Sequence, residues 1–294
     1  MAAASSLEPS SREVGVKMLV RLLDVEPSGP GRWKGRRRLG ATGRVFGGQV
    51  IAQALVAAQK SVSEERQIHS LHAYFMRGGD DNYPIDFQVV SDFDGGSFSN
   101  RRVVASQNGQ SILNFTASFH RKESGLSHFA PMPDVPMPDI VPDHMEIMRE
   151  RIQEAPSAVR LMLGEHSPIE FRPITLLPYF SQPAQDPISE FWFRLGCPIN
   201  APTTVHQAIL AYVSDVALLS TSLLPHGVKP EEIQGASLDH AMWFHDIFDV
   251  SEWILHRSHS PWAGRGRGLN FGSFYSLDGR LIASTTQEGL IRIK

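Results

Sequence analysis

The sequence predicts an α+β protein in which one unit, an apolar helix followed by antiparallel strands, is written twice along the chain. Three observations predict it. IHSLHAYFMRGGD at residues 68–80 and GASLDHAMWFHDIF at 235–248 share a Ser-Leu pair followed by His, a small residue and aromatics. VFGGQVIAQALVAAQKSV and VHQAILAYVSDVALLS are strongly apolar stretches of helical spacing, one ahead of each of those segments. Asn108-Gly109 and Asp278-Gly279, dipeptides that favour tight β-hairpin turns, lie 170 residues apart, against 167 for the Ser-Leu pairs and 158 for Gln49 and Gln207 in the two helices. A kept order with drifting spacing is what loop insertions produce in a duplicated chain.

Residues 1–14 are small and polar, predict a disordered tail, and hold no apolar run of secretory-signal length. Val16, Leu19, Val20, Leu22 and Leu23 recur at helical spacing and predict a short lead-in helix. GRWKGRRR reads as an exposed basic strand or loop. In the next helix Val50, Ile51, Ala54, Leu55 and Ala58 share a face, and no charge occurs from Gly47 to Gln59. A helix that apolar must be buried on most sides. HSLHAYF, PIDFQVV and FSNRRVVASQNGQSILNFTASF alternate as antiparallel strands, broken at Gly95-Gly96, and complete an N-terminal unit over 15–122.

A connector follows over 123–167. Five prolines at positions 131–142 exclude regular structure there, while HMEIMRERIQEAPSAVRLML predicts a short helix. The C-terminal unit, 168–294, opens with the strand-like PIEFRPI and EFWFRLG. Its apolar helix places Ile209, Tyr212, Val213 and Val216 on buried faces, and SLDHAMWFH, EWILHRSH and GLNFGSFYSLDGRLIASTTQEGLIRI supply the strands. An antiparallel sheet wrapped around one long apolar helix hides its concave face and the helix in one core. That is the hot-dog arrangement, and the sequence predicts a tandem (double) hot-dog whose two units pair internally.

Composition narrows the function classes. Hydrophobic residues at 41% and charged residues at 20% are the balance of a soluble globular protein. A net charge of −3 supplies no basic field for nucleic acid, and no stretch approaches the ~20 apolar residues of a membrane span. The single cysteine, Cys197, excludes an internal disulfide and reads as a small buried hydrophobe. A cytoplasmic location is expected; the terminal LIRIK is not a Ser-Lys-Leu peroxisomal address.

Asp215 is the most informative position for chemistry. It is the only carboxylate from Val205 to Leu219, and it shares a helical face with Ala208, Ala211 and Leu219. A buried carboxylate is costly unless hydrogen-bonded, and its pKa can shift toward useful values. The first helix carries Ala57 in the same register, so that half lacks the acid. Ser237 and Gln287 lie on strands that pack near the helix, where a hydroxyl and an amide together can fix one water. Their counterparts are Ser70 and Ala117.

Asp239 and His240 are adjacent in a strand, point to opposite faces, and are expected to be structural, as are His69 and His72. No Cys/His cluster has metal spacing, and GRGRG at 264–268 does not follow a strand and open a helix as a dinucleotide site needs. As an exposed loop its Arg265 and Arg267 could meet phosphates. A Gly-x-Ser-x-Gly nucleophile elbow is missing. Neither a metal nor a cofactor is expected.

Together, RVFGGQVIAQAL, HSLHAYFMRGGD, SFSNRRVVASQNGQSI, AYVSD, SLDHAMWFH and STTQEGLIR resemble the acyl-CoA thioesterase II family, from about residue 15 to the C-terminus. The resemblance implies a tandem hot-dog that hydrolyses fatty acyl-CoA to free acid and CoA without metal or redox cofactor. It implies that the catalytic water is held by Asp215 of AYVSD, by Ser237, where many bacterial members carry Thr, and by Gln287 of TTQEG. Acyl-CoA is the partner it implies, and paired hot-dogs lead to the expectation of a homodimer or homotetramer. Two other classes stay open. One is a hot-dog enoyl-CoA hydratase or dehydratase, for which LDHAMWFH superficially supplies an Asp-His pair; the other is a non-catalytic acyl-CoA binding module.

Overall fold

A computed structural model describes residues 11–38, 40, 43–143, 167–175 and 183–294. Helix α1 (Ser11–Leu23) turns Val16, Leu19, Leu22 and Leu23 into the core and begins inside the segment expected to be a tail. The basic stretch after it supplies β2 (Arg32–Gly35), which pairs in a short hairpin with the preceding β1 (Val25–Gly29). Helix α2 (Gly47–Gln59) buries ten of its thirteen residues, as its lack of charge requires. The strands β3 (Arg66–Phe75), β4 (Ile85–Asp94), β5 (Phe98–Gln107) and β6 (Gln110–Arg121) follow. Residues 122–143 hold no helix or strand, and the helix expected over HMEIMRERIQEAPSAVRLML lies outside the described residues.

The remaining strands and α-helix among the described residues are β7 (Ile169–Pro173), β8 (Ile188–Leu195), α3 (Thr203–Val213), β9 (Ile233–Ser237), β10 (Asp239–Phe244), β11 (Ile254–Gly264), β12 (Arg267–Ser276) and β13 (Leu281–Ile293). All strands join one large antiparallel sheet in the order β1-β2-β4-β5-β6-β3-β10-β13-β12-β11-β8-β7, with β9 on the side of β13. Counted inward from either end, the strands follow the same sequence of connections. The halves meet where β3 pairs with β10, Ala73 opposite His240 and Ser70 opposite Trp243. Ala73 and His240 are 167 residues apart, the offset of the repeated Ser-Leu pairs, so the halves meet at equivalent residues.

Helices α2 and α3 pack against each other in antiparallel fashion. The Phe46 and Tyr212 rings meet edge-on at 5.1 Å, and at the other end Gln59 Nε2 donates to Gln207 Oε1 at 3.1 Å. The approach is close enough that a Cβ on Gly48 would lie 2.3 Å from the Tyr212 carbonyl oxygen, so only glycine fits there. Both helices share one core with Leu71, Phe115, Phe119, Phe193, Met242 and Phe274. Each such large side chain, fully buried, stabilises the fold by about 1.5–3 kcal/mol. Among the described residues no helix is long and apolar enough to cross a membrane.

Both hairpin signals lie in turns between consecutive strands, Gly279 taking φ of 87° between β12 and β13. Asn108 and Gly109 both take positive φ, 50° and 75°, in the tight turn between β5 and β6. GRGRG is no open loop. Arg265 and Gly266, with φ of 51° and 74°, make the same kind of turn between β11 and β12, closed by the pair Gly264 and Arg267. Arg267 meets Glu288 at 3.1 Å and lies over the Trp262 ring, contacts that tie the half-exposed guanidinium to the sheet surface.

Candidate active site

The helix that carries Asp215 ends sooner than its apolar pattern indicates. Helix α3 stops at Val213 with Ser214 as its C-cap. Ser214 Oγ donates to the Ala211 carbonyl at 2.8 Å, a local bond that competes with helix continuation. Ala217 then turns left-handed with φ of 60°, and a 3-10 turn over Leu219–His226 follows. Asp215 therefore stands just beyond the cap and not mid-helix. Its carboxylate faces the first turn of α2, the helix of the other half.

Three donors converge there. The Gly48 main-chain N–H donates to Asp215 Oδ2 at 2.9 Å, Gln287 Nε2 donates to Oδ1 at 2.6 Å, and the Ser237 hydroxyl also hydrogen-bonds the carboxylate. The structure thus brings together the three residues singled out in the sequence. Burial is the largest influence and pushes the Asp215 carboxyl up, the three hydrogen bonds pull it down, and it settles at about 6. A carboxylate with that value is ionised at neutral pH yet basic enough to accept a proton. Asp215 keeps part of its surface accessible, whereas Gln287 is completely enclosed.

The glycine pair that opens α2 is part of this geometry. A Cβ on Gly47 would lie 2.7 Å from Asp215 Oδ2 and 3.1 Å from the Phe75 ring. Gly47 and Gly48 together let the helix start touch the carboxylate. Sequence reasoning placed the candidate site in the second half and missed this contribution from the first. The Gly-Gly ahead of an uncharged helix was the available signal.

Asp239 and His240 do point to opposite faces. Asp239 Oδ1 accepts the Glu288 main-chain N–H at 2.7 Å. His240 is fully buried on the other side, with Nδ1 3.2 Å from Gln287 Nε2 and with Nε2 2.9 Å from Ser214 Oγ and 3.1 Å from Thr285 Oγ1. Burial pushes its pKa down to about 3, so the ring is neutral. The pairing of Ala241 with Thr286, carried one step further along β10 and β13, sets His240 opposite Gln287. Sequence reasoning assigned His240 no link to the site. Strand pairing, which one strand's alternation does not reveal, makes it.

Comparison with known proteins locates the chain among its relatives. The family model "Acyl-CoA thioesterase N-terminal domain" matches residues 36–120, and the model "Acyl-CoA thioesterase" matches residues 177–290. The chain is 38% identical over 285 residues to acyl-coenzyme A thioesterase 8 of Homo sapiens, covering 94% of this chain and 89% of that one. It is 38% identical over 251 residues to acyl-CoA thioesterase 2 of Haemophilus influenzae, covering 85% and 88% respectively. The crystal structure of an acyl-CoA thioesterase II from Mycobacterium marinum superimposes with a TM-score of 0.77 at 34% identity, over 95% of this chain and 98% of that one.

Proposed function

Because the chain belongs to the acyl-CoA thioesterase family and is an acyl-CoA thioester hydrolase, we propose that Asp215, Ser237 and Gln287 hold and activate the water that attacks the thioester. The observation that carries this is the carboxylate itself. Asp215 is partly accessible, gathers Gln287, Ser237 and Gly48 as donors, and titrates at about 6.

In this mechanism the ionised Asp215 takes a proton from the water as its oxygen bonds the carbonyl carbon. The tetrahedral intermediate collapses with cleavage of the carbon–sulfur bond. The proton on Asp215 then passes to the departing CoA thiolate, and the products are a free acid and CoA. Gln287 Nε2 keeps Oδ1 in place through its 2.6 Å hydrogen bond while Asp215 takes up that proton. General-base assistance of this kind contributes ~10²–10⁴-fold in rate.

The substrates belong to the fatty acyl-CoA class on this reading. Each half of the chain, 15–122 and 168–294, is a hot-dog unit whose sheet wraps its apolar helix, joined by the connector 123–167. The inverted repeat of strand order and the burial of α2 and α3 support that architecture. A homodimer or homotetramer in the cytoplasm completes the proposal. A hydratase would need Asp239 and His240 to act on one target, and their engagement on opposite faces of β10 gives that reading no support.

The test is free thiol release from acyl-CoA esters of graded chain length, with the wild type and Asp215→Asn side by side. Release by the wild type that falls at least ~10²-fold in the variant supports the assignment. Equal release by both would move the base elsewhere, and no release from any ester would leave a binding module.

A further inference from the structure

His240 is fully buried against Gln287, and the hydrolytic mechanism gives it no task. Building on that mechanism, we propose that His240 is a positioning residue. Held as its Nε2–H tautomer by Ser214 and Thr285, it fixes the Gln287 carboxamide so that the nitrogen holds Asp215 in its working position.

Proton counting fixes the tautomer. Ser214 Oγ spends its hydrogen on the Ala211 carbonyl and Thr285 Oγ1 spends its hydrogen on the Ala241 carbonyl, both at 2.8 Å. Both hydroxyls therefore present lone pairs to His240 Nε2, at 2.9 and 3.1 Å, and Nε2 must carry the ring hydrogen. A neutral ring with its hydrogen on Nε2 leaves Nδ1 as an acceptor. The group 3.2 Å from Nδ1 is the Gln287 side-chain amide, which also meets Asp215 Oδ1 at 2.6 Å. Only the NH₂ end, with two hydrogens, satisfies two acceptors at once. A flipped Gln287 would set its oxygen against both. One carboxylate alone would orient the amide less firmly, and a protonated His240 would repel it. Burial, which keeps the ring neutral, guards against the latter.

The other half of the chain supplies an independent argument. At the offsets of the repeat, Asp215, His240 and Gln287 correspond to Ala57, Ala73 and Ala117. The two hydroxyl residues behind His240 correspond to Val56 for Ser214 and Phe115 for Thr285. All five positions are polar in one half and apolar in the other. A histidine that merely filled core space would have no reason to be absent wherever the acid and the amide are absent. The five residues form one relay, from Ser214 and Thr285 through His240 and Gln287 to Asp215.

The experiment is a double-mutant cycle on acyl-CoA hydrolysis, with His240→Leu and His240→Asn each made alone and with Gln287→Ala. Leu fills much of the space without an acceptor; Asn places Oδ1 near the position of Nδ1. His240→Leu is expected to lower kcat ~10–100-fold with KM changed by less than about twofold, the size of one buried amide hydrogen left without its acceptor. His240→Asn should retain kcat within about fivefold, and His240→Leu should cost nothing further once Gln287 is Ala. Losses that multiply, or equal losses in the Leu and Asn variants, would overturn the assignment.

Nitrogen-15 NMR of histidine-labelled wild type tests the same proposal without a variant that must fold. A neutral His240 with its hydrogen on Nε2 from about pH 5 to 8 is expected, and a hydrogen on Nδ1 would overturn it. Failure of the underlying mechanism shows separately, as wild-type rates in both Asp215→Asn and Gln287→Ala. Multiplying losses alongside an inactive Asp215→Asn would remove the role of His240 alone.

Discussion

The main-chain N–H of Gly48 donates to Asp215 Oδ2 at 2.9 Å across 167 residues of sequence, so helix α2 of one half holds the carboxylate supplied by the other. The positive end of α2 favours the ionised acid, while burial and the negative C-terminal end of α3 oppose it. Burial wins, and the group titrates at about 6. Duplication within one chain makes this pairing permanent, because the donor and the acid cannot dissociate.

Gly47→Ala tests how tightly that contact is set. Its Cβ would lie 2.7 Å from Asp215 Oδ2, with the Phe75 ring behind it at 3.1 Å, so the carboxylate must move. The expected result is a loss of kcat of about tenfold or more, because small displacements of a reacting group are costly. Thermal melting should show a folded protein. Unchanged kcat in a folded Gly47→Ala enzyme would mean that the carboxylate position is not critical.

Ser237 contributes a hydroxyl to the same carboxylate. Removing it in Ser237→Ala should cost about tenfold in kcat, the low end for a hydrogen bond to a charged group. Ser237→Thr keeps the hydroxyl and restricts its rotamer, and should stay within about threefold of wild type. Steady-state kinetics on one acyl-CoA checks both. A Thr variant as impaired as the Ala variant would count against the hydroxyl.

Asp215 should also weaken the fold at neutral pH. Its folded pKa, about 6, lies above the ordinary value of 3.8. The folded state therefore binds its proton more tightly than the unfolded chain, and stability from this group is complete below about 3.8 and lost as pH rises through 6. Asp215→Asn removes that loss. The variant should be more stable than wild type at pH 7.5 by on the order of 1 kcal/mol, about 2–4 °C in melting temperature. The gain should close as the pH is lowered from 6 toward 4. A variant less stable at every pH would show that the ionised carboxylate is a net support.

Much of this molecule was legible in the sequence. The uncharged run from Gly47 to Gln59 required burial, and Asn108-Gly109 announced the turn between β5 and β6. A lone carboxylate in an apolar stretch identified Asp215, and the repeat identified what the other half lacks. The end of α3 was not legible, since apolar spacing continues past Val213 while the Ser214 back-bond and the left-handed Ala217 stop the helix. The turn at Arg265-Gly266 escaped because arginine seldom takes positive φ. The contact made by Gly48 has no signature in side-chain chemistry, because its donor is the backbone. The link from His240 to Gln287 depends on which strands pair, and the order β3-β10-β13 joins strands far apart in sequence.

The pH dependence of kcat/KM, measured on one good acyl-CoA substrate in wild type and Asp215→Asn, tests the central claim most directly. Asp215 acts as a base, so the rate should stand on a plateau above about pH 6 and fall below it with unit slope as the carboxylate takes up its proton. In Asp215→Asn the plateau should drop at least ~10²-fold and that acidic limb should disappear. An acidic limb unchanged in the variant, at a rate near that of wild type, would contradict the assignment of Asp215 as the group that activates the water.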